Sequence, residues 1–559
     1  MFDYIIIGGG SAGCTLAGRL SEDPTVTVAL LEAGPVDKSI LIQCPAGLVL
    51  LAKNGQANWK FETTPQPGLN GRSGYMPRGK VLGGSSSVNA MIYARGHRSD
   101  YDHWASEGNP GWSFEEVLPY FKRSENNERG ADALHGSGGP LNVKDLTSPN
   151  PFGSLFVQAG VQAGFRENHD FNGPQQEGVG LYQVTHKDGE RFSAAKAYLT
   201  PHLARPNLQL FTGALTTRIL LERKRAVGVE FRHEGQLKQL RAGREVLLCA
   251  GALQSPQILM LSGIGPHDHL LENGIATLHH LPGVGQNLHD HPDVVINTHA
   301  PRAKDLVGIS PHGLVRSIRG MFEWRRQRTG MLTTNFAEAG GFIKSAPDEP
   351  IPDLQLHFVT GILVDHGRKT ILGHGHSCHV CLLRPRSRGS LRLASKDPTD
   401  APLIDPNFLA DRNDMDRLVR GFHIMRDILG QPALAGYGGK EFAQSAAAQT
   451  DLQIEQFIRD HADTIYHPVG TCRMGTGPDA VVDAELRVYG LRGLRVVDAS
   501  IMPRVVGGNT NAPVIMIAEK AADMIKAAAA QSPAAVVDVD AVVDVDAAGQ
   551  DRVPEPHIA

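Results

Sequence analysis

Cysteine is scarce. Six in 559 residues are too few for the disulfide framework of a secreted domain, so a reduced, cytoplasmic setting is the default expectation. No apolar run reaches the roughly 18 to 20 residues that a membrane-spanning helix needs. Positive charge is not in excess either. The formal net charge is -4 and the isoelectric point about 6.7, which leaves no global field to hold a polynucleotide backbone and excludes nucleic-acid binding as the main function. The chain opens on MFDYIIIGGG, a strand pattern running into a glycine turn. With no basic and apolar leader ahead of that turn, export is not expected.

The composition that remains is globular: 41% hydrophobic and 20% charged residues, with a mean hydropathy of -0.20, far from the regime of disorder. At about 100 to 200 residues per domain, the length provides core for roughly two to four domains. Glycine is over-used, at 62 residues against the ~7% usual in proteins. Without a G-X-Y period, that excess points to backbone running close to a ligand.

Four short apolar runs stop at or near glycine or an acid: Tyr4 to Ile7, Val26 to Leu31, Val246 to Leu248 and Leu494 to Val497. Such runs fit strands buried on both faces of a parallel sheet. If they share one sheet, the fold is α/β (α+β overall), with a discontinuous doubly wound domain from 1–100, 200–300 and 460–526. A second domain then comes from 101–199 and 301–459. Its alternating stretches, Leu354 to Phe358, Val380 to Leu383 and Ser390 to Leu393, predict an antiparallel sheet packed with helices. After the helical run Val514 to Lys526, residues 527–559 hold an Ala tract and AVVDVD written twice. That composition cannot fill a core and predicts a disordered tail.

Strand, glycine loop and helix follow in order in DYIIIGGGSAGCTLAGRL, where Gly8, Gly10 and Gly13 fill G-x-G-x-x-G. The first glycine makes the tight turn, the second admits a pyrophosphate and the third lets helix pack on strand, with the helix N-terminus facing the phosphates. The second strand ends at Glu32, placed to hydrogen-bond both hydroxyls of an adenosine ribose. An acid there repels a 2'-phosphate, favouring FAD or NAD over NADP.

Three further motifs stand in RGKVLGGSSSVNAMIYARGH (Arg78 to His97), GALQSPQILMLSGIG (Gly251 to Gly265) and, near the end, IYHPVGTCRMG followed by VVDASIMPRVVGGNTNAPVIMIAEKAADMI. With the N-terminal fingerprint they resemble the glucose-methanol-choline family of FAD-dependent oxidoreductases, in the family's order from Met1 to about Lys526. The resemblance implies a Rossmann-like FAD domain, a substrate sheet roofing the flavin, and oxidation of a hydroxyl-bearing substrate. Within the family it points to alcohol dehydrogenases that use a quinone or other non-nicotinamide acceptor, and next to choline dehydrogenase. An oxidase of alcohols or sugars, or a lyase with structural FAD, stays open.

Gly83 and Gly84 give a loop free of side chains, able to lie against a flat ring, with three serines from Ser85 and the amide of Asn89 for ribityl and phosphate oxygens. Some family members link the flavin to a His in this loop. The matching position here is Val88, so noncovalent FAD is expected. By the same resemblance Ser11, Ala12, Ala33, Arg78, Val81 and Met91 join the cofactor site from the N-terminal part. Thr216, Asp498, Ala499, Asn509 and Pro513 join it from the rest of the chain, with a simple strand-end turn as the other reading of Asp498.

Taking hydride from an alcohol carbon requires the hydroxyl proton to leave as well, so a base is needed. In Tyr466-His467-Pro468 the residue before proline is held extended, presenting an imidazole whose ordinary pKa of about 6.5 suits that task. In the family's motif this His is the catalytic base. Asn511, in GNTNAP, is expected as the partner amide beside it, and Pro513 opens the following helix. Glu338 in NFAEAGGF and His357 in LQLHF fall in the second domain, where a cavity-lining role and an ordinary sheet position are equally open.

Cys378-His379-Val380-Cys381 imitates a metal site, but residues three apart on a strand point to opposite faces, so no metal is expected. Metal is likewise not expected at His289-Asp290-His291. Cys14 and Cys249 read as small buried fillers. From Leu314 to Arg328 the sequence LVRSIRGMFEWRRQR puts Leu314, Ile318, Met321 and Phe322 on one helical face among five arginines. Two readings stay open for it: an interfacial helix giving peripheral contact with the inner face of a membrane, or a helix packed on the second domain.

Overall fold

A computed structural model describes residues 1–531. The four apolar runs become the strands Phe2–Ile7 and Val28–Glu32, the end of Gln236–Leu248, and Leu494–Val496. They share one parallel sheet, in the order Leu208–Thr212, Val28–Glu32, Phe2–Ile7, Gln236–Leu248, Leu494–Val496. All five residues of Val28–Glu32 are buried, as continuous apolar runs require, each large aliphatic contributing about 1.5–3 kcal/mol. The helices Ser11–Leu20 and Asn511–Gln531 pack together over this sheet. The strand Gln236–Leu248 serves two partners. Its first half pairs antiparallel with Arg225–His233, and its second half runs parallel to the two strands beside it.

The second sheet is antiparallel, ordered Lys440–Glu441, Pro292–His299, Gly373–Leu382, Leu354–Val359, Ala337–Ile343, Gly178–Leu181. The helices Pro151–Gln162 and Arg412–Gly430 cover it. Two expectations change in detail. Pro292–His299 belongs to this sheet, so the crossover falls before residue 292 and not at 300. Ser390–Arg392 pairs with Leu403–Asp405 in a small separate hairpin. The terminal helix runs on to Gln531 through the start of the Ala tract; the rest of the tail expected over 527–559 lies outside the described residues.

The C-terminal ends of the parallel strands converge on one edge, at Ile7, Glu32, Leu248 and Val496. In open α/β sheets ligands bind at such an edge, outside the carboxyl ends of the strands. Here it faces the second sheet, and the space between them is the site.

Candidate active site

A cavity of about 730 Å³ runs from this edge to the second sheet. At its inner end the glycine loop crosses the strand ends. Gly8 has φ +98°, and a Cβ there would lie 2.6 Å from the Cys249 carbonyl oxygen. Gly84, at φ +53°, would bring a Cβ within 2.8 Å of Gly10 Cα, whereas a Cβ on Gly10 would meet nothing within 4 Å. The two glycine loops therefore touch, and Gly10 faces open space at the first turn of Ser11–Leu20, where unsatisfied backbone N–H groups point outward.

Glu32 holds this turn from the next strand. Its Oε2 accepts from Gly9 N–H at 2.8 Å and its Oε1 from Gly34 N–H at 2.7 Å, while burial pushes its pKa up to about 7. Asp498 does the same at the far side, accepting from Gly251 N–H at 2.8 Å, Ser255 Oγ at 2.5 Å and Ser500 N–H at 2.8 Å. Thr216 Oγ1 is buried against the cavity without a hydrogen-bond partner. An open glycine cradle at a helix start, an acid at the second strand's end and an orphaned hydroxyl fit the dinucleotide end of FAD.

Most residues expected at the cofactor line this cavity: Gly8, Gly10, Ser11, Ala12, Glu32 and Ala33 at the fingerprint, then Arg78, Gly84, Ser85, Asn89 and Met91 in the second loop. Thr216, Asp498, Ala499 and Asn509 line it from the rest of the chain. Five expected residues stand behind the wall. Gly13 packs on Gly8, Gly83 N–H donates to the Gly9 carbonyl at 2.7 Å, Val81 joins a small core with Ile42 and Leu51, Pro513 is buried in its helix, and Glu338 turns away. Of the three loop serines only Ser85 faces the cavity. Ser86 and Ser87 donate inward, to the carbonyls of Gly83 at 2.6 Å and Leu82 at 2.7 Å.

His467 lies where the cavity meets the second sheet, and the amide beside it is Asn509. Asn509 Nδ2 stands 3.3 Å from His467 Nε2. Asn511, expected in that place, instead accepts from Ser11 Oγ at 2.7 Å and ties the terminal helix to the glycine loop. The two-residue offset has a local cause: Asn511 is already the first residue of the helix Asn511–Gln531, so its side chain follows the helix start toward Ser11, while Asn509 remains on the extended approach.

Hydrogen bonding fixes the orientation of every group in this row. Tyr182 Oη donates to the Leu356 carbonyl at 2.6 Å, so it accepts from Gln355 Nε2 at 3.3 Å. The same Nε2 donates to Asn509 Oδ1 at 3.1 Å, leaving Asn509 Nδ2 to donate to His467 Nε2. His467 Nε2 is thereby the unprotonated nitrogen, and Nδ1 carries the hydrogen and donates to His291 Nδ1 at 3.0 Å. Asp290 clamps the backbone behind, accepting from His467 N–H at 2.8 Å, His291 N–H at 2.7 Å and Thr464 Oγ1 at 2.5 Å.

Burial, followed by the proximity of His291, His357 and Arg78, holds the His467 pKa well below its ordinary value. Burial also brings His291 and His357 down to about 3 and lifts Asp290 to about 6. Arg78 donates to the Tyr466 carbonyl at 2.6 Å, and Tyr466 itself sits at φ +75°. Tyr466 Oη is 2.5 Å from His366 Nδ1, whose Nε2 is 2.9 Å from Asp463. The strained residue before the base is thus held from both ends.

His357 lines the cavity beside the base. Glu338 does not; its carboxylate accepts from Asn150 N–H at 2.5 Å and from Thr334 Oγ1, closing the start of Pro151–Gln162 onto the second sheet. His379, from the Cys-His-Val-Cys run, pairs with Asp293 at 2.7 Å. Cys14 is buried and donates to the Gly9 carbonyl, and Cys249 is buried at a strand end. The residues that sequence reasoning missed are His291, Asp290 and Gln355. The stretch around His291 and Asp290 resembles a family loop near the flavin, but no local signal gives these three residues their roles, because each meets its partner across more than 150 residues.

A doubly wound dinucleotide domain roofed by an antiparallel sheet, with a neutral histidine between them, defines a flavin-type oxidoreductase. Residues 2–293 and 385–518 match the N- and C-terminal family models of the GMC oxidoreductases. The chain belongs to this family of FAD-binding flavoenzymes. It is 48% identical over 528 residues to an alcohol dehydrogenase [acceptor] of Pseudomonas putida, covering 94% of this chain and 96% of that protein. It is 45% identical to mitochondrial choline dehydrogenase of Mus musculus, covering 94% and 89%. Among solved structures, pyridoxine 4-oxidase from Mesorbium loti superposes with a TM-score of 0.83 at 34% identity, covering 94% of this chain and 99% of that one.

Proposed function

We propose that this GMC oxidoreductase oxidises an uncharged, largely apolar primary alcohol to the aldehyde and passes the electrons to a quinone or other non-nicotinamide acceptor. The lining around His467 carries this reading: Phe336, Ala337, Val359, Ile362, Leu363 and Ile465 are apolar, and Glu32 and Asp498 are the only carboxylates on the cavity wall among the described residues. Both of those acids sit at the parallel-strand ends, away from the base. A quaternary ammonium substrate calls for a carboxylate or open aromatic faces. Trp59 and Tyr75 already carry Lys80 and Arg368 over their rings, at 4.2 Å each, and the remaining rings on the wall, Phe336 and Tyr466, have no carboxylate beside them on that wall, which favours an uncharged substrate over choline.

Bound FAD supplies the acceptor for the hydride. His467 Nε2 takes the hydroxyl proton once the substrate oxygen replaces Asn509 Nδ2 as its hydrogen-bond partner, and burial keeps the ring neutral until then. Asn509 Nδ2 then donates to the substrate oxygen and holds it in line. Positive charge arising on His467 is met by His291 Nδ1 and, through the backbone clamp, by Asp290. Val88 offers no nucleophile for a flavin link, so the cofactor would be held by contacts alone, with Glu32 serving the ribose and Gly10 and Ser11 the pyrophosphate. The test is anaerobic mixing of the purified flavoprotein with aliphatic alcohols, choline and sugars while flavin absorbance is followed. Bleaching by aliphatic alcohols is expected. Bleaching by choline alone would replace the substrate assignment, and no bleaching by any hydroxyl compound would remove the redox reading.

A further inference from the structure

The helix Pro311–Gln327 turns its apolar side to solvent. Gly313, Gly320 and Trp324 are its buried residues, and Gly320 comes so close to its support that a Cβ would lie 2.8 Å from Met331 Cγ. At 100° per residue, the opposite face carries Leu314, Val315, Ile318, Met321 and Phe322, which are 63%, 50%, 42%, 53% and 62% exposed. The helix is packed through Gly313, Gly320 and Trp324, but this packing leaves the five apolar side chains of the strip largely exposed. Five such residues on one strip form the kind of patch that monomeric soluble proteins rarely leave uncovered.

The strip continues onto the rim of the active-site cavity. Ile309, 53% exposed, immediately precedes the helix cap Ser310 and pairs with Leu372, which is 72% exposed. The residues that both line the cavity and stand exposed are Leu50, Lys53, Gln56, Ile309, Lys369 and Thr370. Lys53 Nζ donates to Thr370 Oγ1 at 2.7 Å and joins the two sides of this rim. The cavity thus opens in the same face as the strip.

Charge selects the occupant. The chain as a whole carries -4, yet between 304 and 328 Lys304, Arg316, Arg319, Arg325, Arg326 and Arg328 stand against only Asp305 and Glu323. Arg316 and Arg328 are paired, with Asp305 and Glu190. Among the described residues Arg319, Arg325 and Arg326 enter no ion pair, and all three are exposed. A second copy of this chain would bring the same positive charge to the interface. An anionic lipid surface complements both the apolar strip and its unpaired arginines.

We propose that the exposed face of Pro311–Gln327, together with Leu50, Ile309 and Leu372, docks this protein on an anionic bilayer with the mouth of the active-site cavity turned to the lipid. The apolar strip enters the headgroup boundary and the arginines pair with lipid phosphates. An apolar reactant then passes between bilayer and cavity without crossing water. Docking stands apart from the proposed reaction; only the route of the reactant rests on it.

Sedimentation of the flavin-loaded protein with vesicles tests this, using phosphatidylglycerol mixed with phosphatidylcholine against phosphatidylcholine alone. The parent should pellet with the anionic vesicles, less at high salt, and less with the neutral ones. Charge reversal at Arg319, Arg325 and Arg326 (each →Glu) should weaken partitioning by roughly fivefold or more per residue, and Met321→Asp with Phe322→Asp should release the protein as well. Both variants should keep the parent rate of flavin reduction by a water-soluble alcohol. Equal recovery of parent and variants in the supernatant would overturn the proposal. So would a parent that self-associates, is dissociated by Phe322→Asp and ignores vesicles, since the strip would then be an interface between copies. If vesicle binding holds while alcohols fail to bleach the flavin, docking stands and the reaction assignment falls.

Discussion

Asn509 Nδ2 donates to His467 Nε2 across 3.3 Å, and Gln355 holds Asn509 in the only orientation that allows it. One amide thus assigns the tautomer of the histidine and stands beside the nitrogen proposed to meet the substrate oxygen. Asn511, two residues on, serves the glycine loop through Ser11.

That division of labour separates two variants. Asn509→Ala should slow single-turnover flavin reduction by about 10²-fold with FAD content unchanged, the scale for losing one hydrogen-bond donor to a reacting oxygen. Asn511→Ala should instead lower FAD content on purification while the flavin that remains is reduced at near the parent rate. Measuring both quantities for both proteins checks the assignment; a reversed pattern would return the catalytic role to Asn511.

Gln355 acts through Asn509. Gln355→Leu frees the Asn509 amide to flip and removes the constraint on the His467 tautomer. The expected result is a fall in kcat with KM little changed, together with a shifted pH profile. Gln355→Glu should not rescue it, because an ionised carboxylate cannot donate to Asn509 Oδ1. A profile identical to the parent would reduce Gln355 to core packing.

Glu32→Ala should purify soluble and largely free of FAD, since it removes two hydrogen bonds that shape the pyrophosphate turn and adds no bulk. Cofactor released from the parent by acid should leave a colourless polypeptide, as Val88 makes no covalent link. Flavin retained by the denatured chain would contradict this.

Stability should fall as the solution turns acidic. His186, His291 and His357 have folded pKa values brought to about 3, and His376 to about 4, by burial. Between those values and their ordinary pKa, the unfolded chain binds protons that the folded one refuses, so each contributes stability that is complete above about pH 6.5 and is lost as pH falls below it. Glu32 and Asp290, raised to about 7 and about 6, act with the opposite sign but are fewer. Thermal melting should show Tm dropping steadily from pH 6.5 to pH 4. A flat Tm there would mean that these histidines protonate within the fold.

Much of this was legible in the sequence because it is written locally. Strand, glycine turn and acid lie within the first 32 residues, and buried parallel strands carry continuous apolar runs that composition alone betrays. His467 was marked by the proline after it. What could not be read is what long-range pairing decides. Asn509 and Asn511 share a motif and a residue type, and only the start of the terminal helix sends them to different partners. His291 and Asp290 resemble a metal run until the fold sets them behind His467. Glu338 offered a carboxylate in the right domain, but strand alternation and its bond to Asn150 turn it from the cavity. The helix Pro311–Gln327 has the same amphipathic pattern whether its apolar side is packed or exposed, so its orientation had to come from the glycines and Trp324 on its other face.

His467 Nε2 is the group proposed as the neutral base that takes the alcohol proton. Anaerobic stopped-flow reduction of the flavin in His467→Ala by an alcohol that bleaches the parent tests it most directly. Bound FAD and a rate lower by about 10² to 10⁴-fold are expected, the range for loss of a general base. Reduction at the parent rate, with FAD bound, would contradict it.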